Sequence, residues 1–277
     1  MKKLLFFAIV LFCLQSEIQG QYTEIHCKHF LYGYPVGSPA TNDLIIRDIY
    51  ALSSNDSTKF ADWVAYRLDK ETLTGPSQQK RKWAADPWLD DNETLEPNDY
   101  KDAPKILKID RGHQAPLANF KGTKVANETN YLSNITPQKS ELNQGVWKNL
   151  EEKERELTET FDLVYVMTGT LYEKTIPNLP KADENHKVPS GYWKIIAIPF
   201  ERDISDLEQL QIFGFIFDQE TPRKDPIEKH LVSINEIEKI AKLDFFNELD
   251  SKIQWKLESK PNPNYKIFFE KLNNQSK

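Results

Sequence analysis

"KIDRGHQAPLANF", residues 108–120, sets an acid, a guanidinium and an imidazole around one glycine, in the run Asp110-Arg111-Gly112-His113. An arginine beside a histidine disfavours the protonated ring. The pairing is poor core material, but it is a good way to keep a base neutral next to an anion. The segments on either side decide which fold presents it.

Upstream, "KILKID" alternates apolar and polar residues and reads as a strand that feeds the run. Downstream, "NYLSNIT" (130–136) reads as a second extended piece. The period then changes. Leu142, Val146, Leu150, Leu157 and Phe161 recur at helical spacing, which predicts one amphipathic helix over 142–161. At about 100° per residue, Asn143, Glu151 and Arg155 face one side of that helix in successive turns. Two extended segments and a helix therefore follow one another, with a histidine on the first and an amide on the third.

Further out, residues 44–68 read as two strands joined by a polar turn at Ser53 to Ser57. Residues 72–104 contain Pro76, Pro87, Pro97 and Pro104 and read as loop. Within them Asp86, Asp90, Asp91, Glu93, Glu96 and Asp99 look like a solvated acidic stretch. The runs at 162–172, 191–200 and 210–219 are rich in β-branched and aromatic residues and read as buried strands. A helix is expected over 233–249, with Ser233 as N-cap and Glu236 three residues on. Residues 21–42, with Gly33, Pro35, Gly37 and Pro39, read as an irregular arm. The fold class is α+β, a mostly antiparallel sheet flanked by helices.

Met1-Lys2-Lys3, the apolar run Leu4 to Leu14 and the small residue Gly20 read as a secretory signal peptide over 1–20. The run is too short for a membrane span, which needs about 20 apolar residues. Residues 21–277 are expected to form a single domain, secreted or periplasmic, with no later membrane span. Cys27 is then the only cysteine left, so no internal disulfide can form. The spacing of His26, Cys27 and His29 fits no standard structural zinc site. The formal net charge of −6 excludes a broadly basic nucleic-acid binder. A phosphate-binding site would have to be a local cluster of basic residues.

"DRGHQAPLANF", "NYLSNITPQKSELNQGVWKNLEEKER", "YWKIIAIPF" and "FGFIFDQETP" resemble the DNA/RNA non-specific endonuclease family. The likeness is strongest to its secreted bacterial members, is more distant to mitochondrial endonuclease G, and covers about Asp43 to Pro261. It implies a ββα-metal (His-Me finger) nuclease that uses Mg²⁺, with Mn²⁺ as a possible substitute. The substrates implied are single- and double-stranded DNA and RNA, cut to leave 5′-phosphates. By the same resemblance His113 is the general base and Asn143 the direct metal ligand. Glu151 holds metal-bound water, and Arg81, Arg111 and Arg155 bind phosphate. Asn134 supports substrate binding. In the family a disulfide often ties the N-terminal arm, whereas here Tyr34 stands where a partner for Cys27 is expected. Taken singly, several of these residues have other readings. Asn143 also fits a helix cap, Glu151 a surface acid paired with Arg155, and Arg81 a solvated loop beside Lys80 and Lys82. Trp63, Trp83, Trp147 and Trp193 read as packing residues. Oligomeric state is open, monomer or homodimer.

Overall fold

A computed structural model describes residues 24–75, 81–200 and 210–270. The expected signal peptide lies outside the described residues. Among them, no helix is long and apolar enough to cross a membrane.

The frame is a seven-stranded sheet. Its strands are β1 (Asp43–Ile46), β2 (Ala51–Asn55), β3 (Phe60–Asp69), β6 (Leu163–Leu171), β7 (Gly191–Pro199), β8 (Leu210–Asp218) and β9 (Leu231–Val232), in the order β1-β2-β3-β6-β7-β8-β9. Every pairing in it is antiparallel. Strands β6, β7 and β8 fall where the sequence placed them. Residues 44–68 hold three strands rather than two. Ser53 and Ser54 lie inside β2, and the polar turn falls after it, where Lys59 takes the left-handed conformation (φ 66°).

The sheet is covered on both faces because its strands alternate large apolar residues on each side. On one face Tyr192, Ile196, Phe213, Phe215 and Phe217 pack against Trp147, Leu150 and Leu157 of helix α4 (Val146–Phe161). On the other, Trp63, Trp193 and Ile195 pack against Ile234 and Ile237 of helix α5 (Ile234–Ala241). The Ser233 hydroxyl accepts from the Glu236 amide, as the sequence suggested. Helix α5 is shorter than expected, because Lys242 takes the left-handed conformation and ends it.

A separate hairpin, β4 (Ile109–His113) paired antiparallel with β5 (Ile135–Lys139), sits over a third core of Phe60, Leu95, Tyr100, Leu132 and Ile135. Two expectations fail around it. "KILKID" is not strand throughout, since Ala103–Ile106 form a helical turn with Pro104 inside its first turn, where a missing amide proton costs nothing. "NYLSNIT" is mostly 3-10 turn, and strand begins only at Ile135.

The predicted helix over 142–161 is two helices, α3 (Ser140–Asn143) and α4, separated at Gln144-Gly145. A Cβ on Gly145 would lie 2.4 Å from the Glu141 carbonyl oxygen and 2.5 Å from the Arg223 Cα, both backbone atoms. The 223 segment thus lies against the chain where α3 turns into α4. Gly145→Ala is expected to destabilise the fold by about 1–3 kcal/mol, the usual cost of overpacking. A thermal melt at unchanged two-state cooperativity checks it, and an unchanged midpoint would show that the segment yields.

Candidate active site

Side chains alternate along β4, so Arg111 and His113 share one face while Asp110 and Gly112 share the other. On the first face, the His113 ring lies 5.3 Å from the Trp83 ring. The Arg81 and Arg111 guanidiniums each lie 5.4 Å from the Trp83 ring. Trp83 packs against the third core, as expected of it. Trp63, Trp147 and Trp193 are fully buried, but Trp83 is only part-buried and belongs to this group.

The histidine is held at one edge. Its Nε2 lies 3.1 Å from Asn130 Oδ1, and the Asn130 amide nitrogen donates to Asn127 Oδ1 at 3.1 Å. In this arrangement the Asn130 oxygen faces the ring. That oxygen then accepts from His113 Nε2–H, and Nδ1 is left as the unprotonated nitrogen. Burial pushes the imidazole from 6.5 down to about 4; the Asn130 bond opposes this, and Arg81 adds to it. The sequence reading credited Arg111 with keeping the ring neutral. Dehydration is the larger cause, and Arg81 is the guanidinium that contributes. Arg111 spans Trp83 and Tyr100, donates to the Pro97 carbonyl at 2.6 Å, and has its own pKa lowered by burial.

On the other face, Asp110 fastens the hairpin to the helices. It accepts from Ser140 Oγ at 2.7 Å, Asn143 Nδ2 at 2.9 Å and Gln144 Nε2 at 2.8 Å. Asn143 is therefore not a cap. Glycine 145 takes the N-cap position of α4, and the Asn143 side chain spans α3 and β4. Gly112 meets Gln138 on the paired strand. A Cβ at 112 would lie 2.5 Å from the Gln138 Oε1, and the Gln138 side chain is itself buried. This close approach requires the glycine of the motif.

Helix α4 contributes a second group. Glu151 and Arg155 lie one turn apart, yet Arg155 bonds elsewhere: its Nη1 donates to Asn119 Oδ1 at 2.8 Å. Asn119 in turn donates to Glu154 Oε2 at 2.7 Å, and Tyr66 donates to the same oxygen at 2.9 Å. The other oxygen of Glu154 pairs with Lys194 of β7, and both side chains are fully buried. Burial pushes the Glu151 carboxyl from 4.5 up to about 7, with Lys194 opposing.

Arg81, Arg111 and His113 thus meet at Trp83, and Glu151 and Arg155 meet on α4. Asn143 reaches β4 through Asp110 and touches neither group directly. Asn134 is different. It is fully buried and spends both amide protons on the carbonyls of Ala115 and Thr129, while its oxygen accepts from the Ala115 amide. It clamps the chain after His113 and has no donor left for substrate. Asp86 and Asp99, expected in solvent, are buried, Asp86 against Arg47 and Ser133.

Sequence reasoning missed Trp83, Asn119, Asn130, Glu154 and Lys194. One signal was available for the last, a lysine inside the wholly buried strand "GYWKIIAIP".

The oxygen donors of Asn143 and Glu151 are of the kind that suits a divalent cation. With Nδ2 committed to Asp110, the Asn143 amide presents Oδ1 as its acceptor, and Glu151 supplies a carboxylate that burial makes costly to ionise alone. Hard oxygen donors in small number suit magnesium, which keeps several waters. The group Asp43, Asp56 and Glu93 also brings three carboxylates together, but it contains none of these residues.

Comparison with known proteins places this geometry. The family model for DNA/RNA non-specific endonuclease matches residues 30–252. The chain is 41% identical to a nuclease of Serratia marcescens over 94% of each chain. It is 30% identical to human mitochondrial endonuclease G over 76% of this chain and 71% of that one. A solved structure of the EndoG/EndoGI complex superimposes with a TM-score of 0.66 and 24% identity, covering 80% of this chain and 91% of that one. That last likeness is one of fold, the ββα-metal arrangement built here by β4, β5 and α4. With a Serratia nuclease matched along almost its whole length, the chain belongs to the DNA/RNA non-specific endonuclease family and is an enzyme that hydrolyses nucleic acids.

Proposed function

We propose that this enzyme is exported and cleaves phosphodiester bonds in single- and double-stranded DNA and RNA with Mg²⁺, leaving 5′-phosphates. The observation that carries the reading is the neutral His113, tethered at Nε2 by Asn130 and set among guanidiniums. A base whose pKa lies below neutrality is fully available at pH 7, and the free Nδ1 is the atom that takes the proton from the attacking water. Arg81 and Arg111 bind the phosphate beside it. Arg155, held by Asn119, adds charge from α4. Asn143 and Glu151 would hold the metal, Asn143 directly and Glu151 through water, with Mn²⁺ able to substitute. A bound Mg²⁺ would supply Lewis-acid polarisation of the phosphate.

These groups read a backbone rather than base edges, and phosphate contacts carry no sequence information. Plasmid and single-stranded DNA, duplex and single-stranded RNA are all expected to be cut with magnesium and spared with EDTA. Binding is expected to weaken as salt rises, through counterion release. The measurement is that four-substrate panel at rising ionic strength, with end-labelling and sequencing of the cut ends. Confinement to RNA, a dominant cleavage sequence, or cutting that survives EDTA would each overturn the reading.

A further inference from the structure

We propose that Trp83 is a positioning residue: one indole gathers His113, Arg81 and Arg111, and the buried Arg47–Asp86 pair fastens that indole in place. The inference rests on the reading of His113 as the base.

Three functional side chains converge on this ring. The imidazole meets it at 5.3 Å and an interplanar angle of 37°, and both guanidiniums sit 5.4 Å from its centroid. Each guanidinium over an indole gains cation–π attraction, more when dehydrated than when exposed. The one indole holds both guanidiniums near the imidazole without neutralising the charge a phosphate needs.

The position of Trp83 is over-determined. Ala84 forms a parallel bridge with Tyr131, in which Leu132 donates to the Ala84 carbonyl at 2.9 Å and Ala84 donates to the Asn130 carbonyl at 3.4 Å. The strand that carries Trp83 is thus bonded to the residue that holds the opposite edge of the His113 ring. Two residues on, Asp86 is buried and accepts from Arg47 and Ser133. The Arg47 guanidinium is sandwiched 4.0 Å from the Trp88 ring and 4.6 Å from the Tyr131 ring. A buried ion pair is a weak source of stability, and registry is its best-attested use. Here it sets the register of 83–88 against 128–133.

Among the described residues, the charged groups around the imidazole are few. Arg81 faces it from the Trp83 segment, and Arg111 lies across the indole on β4. The 126–134 segment presents the neutral amides of Asn127 and Asn130, while Glu128 turns to Arg47 at 3.8 Å. Removing the indole should therefore hydrate the ring more than it changes its charges.

The test uses the full chain. In Trp83→Ala, NMR titration of the histidine rings of the metal-free protein should show the His113 midpoint rising toward 6.5. Its kcat/KM should fall by about 10²-fold, the order expected when reacting groups lose about 1 Å of registration. Trp83→Phe keeps an aromatic face and should restore both readouts most of the way. If Trp83→Ala does not fold, Trp83→Leu replaces it, with kcat/KM expected about tenfold below the Phe variant at similar thermal stability, because aliphatic bulk cannot hold two guanidiniums. A folded Ala variant with wild-type midpoint and rate, equal Leu and Phe variants, or lost activity at an unchanged midpoint would each overturn the proposal. The titration reads no catalysis, so it can fail while His113 remains essential, and the reverse.

Discussion

Replacing His113 with alanine is expected to lower turnover about 10²–10⁴-fold while substrate binding persists, the range for losing a general base. The pH profile carries the sharper content. As the proposed base, the ring would act deprotonated, and dehydration holds it at about 4 rather than 6.5. At saturating metal, kcat/KM should therefore rise through a limb near pH 4 and stay flat through neutrality. The Ala variant should lose that limb. Saturating metal matters because Glu151 is held near 7, and its protonation below that pH weakens any cation site it supports. A wild-type limb near 6.5 would mean that water reaches the imidazole freely. Full activity in a folded Ala variant would remove His113 from the chemistry.

The second large effect concerns Glu154. Its carboxylate sits between Lys194, Tyr66 and Asn119, all without solvent access at the contact. Glu154→Ala leaves the Lys194 ammonium buried 4.4 Å above the Trp147 ring without its bonded counter-charge, Glu151 being the carboxylate that remains near it. Breaking a buried pair from one side costs about 3–5 kcal/mol, whereas replacing both members with apolar residues is often close to neutral. Denaturant titration of Glu154→Ala should show a loss of that size. The double variant Glu154→Leu with Lys194→Met should recover most of it. Activity should not return, because Asn119 has lost its acceptor and Arg155 its mount. Restored stability with restored rate would show that the network serves only the core.

Much of the architecture was legible because it rests on local periodicity. The three long strands and the amphipathic face of α4 follow from β-branched and aromatic runs and from helical spacing, both of which a single chain displays. Two of the failures share one kind of cause. Gly145 interrupts the helix because the 223 segment presses on it, and Asp86 is buried because Arg47 meets it from a distant turn. Neither partner is visible from the local sequence. The site divides the same way. The DRGH motif marks His113 and Arg111, which one strand places together. The residues that aim them, Trp83 on a loop and Asn119 and Asn130 on short 3-10 turns, become adjacent only through tertiary contacts. Asn134 misled for a related reason. An asparagine next to a functional motif looks the same in sequence whether it faces substrate or clamps backbone.

The glycine between Arg111 and His113 faces the buried Gln138 amide, with no room for a methyl group. Positions 112 and 138 are therefore not free to drift separately. A change from glycine is tolerated only after the residue across the hairpin has shortened, and a shortened residue alone leaves a void behind the motif. Each order of events passes through a poorer enzyme. The two positions are expected to change together, which would shield the strand carrying the motif from gradual revision.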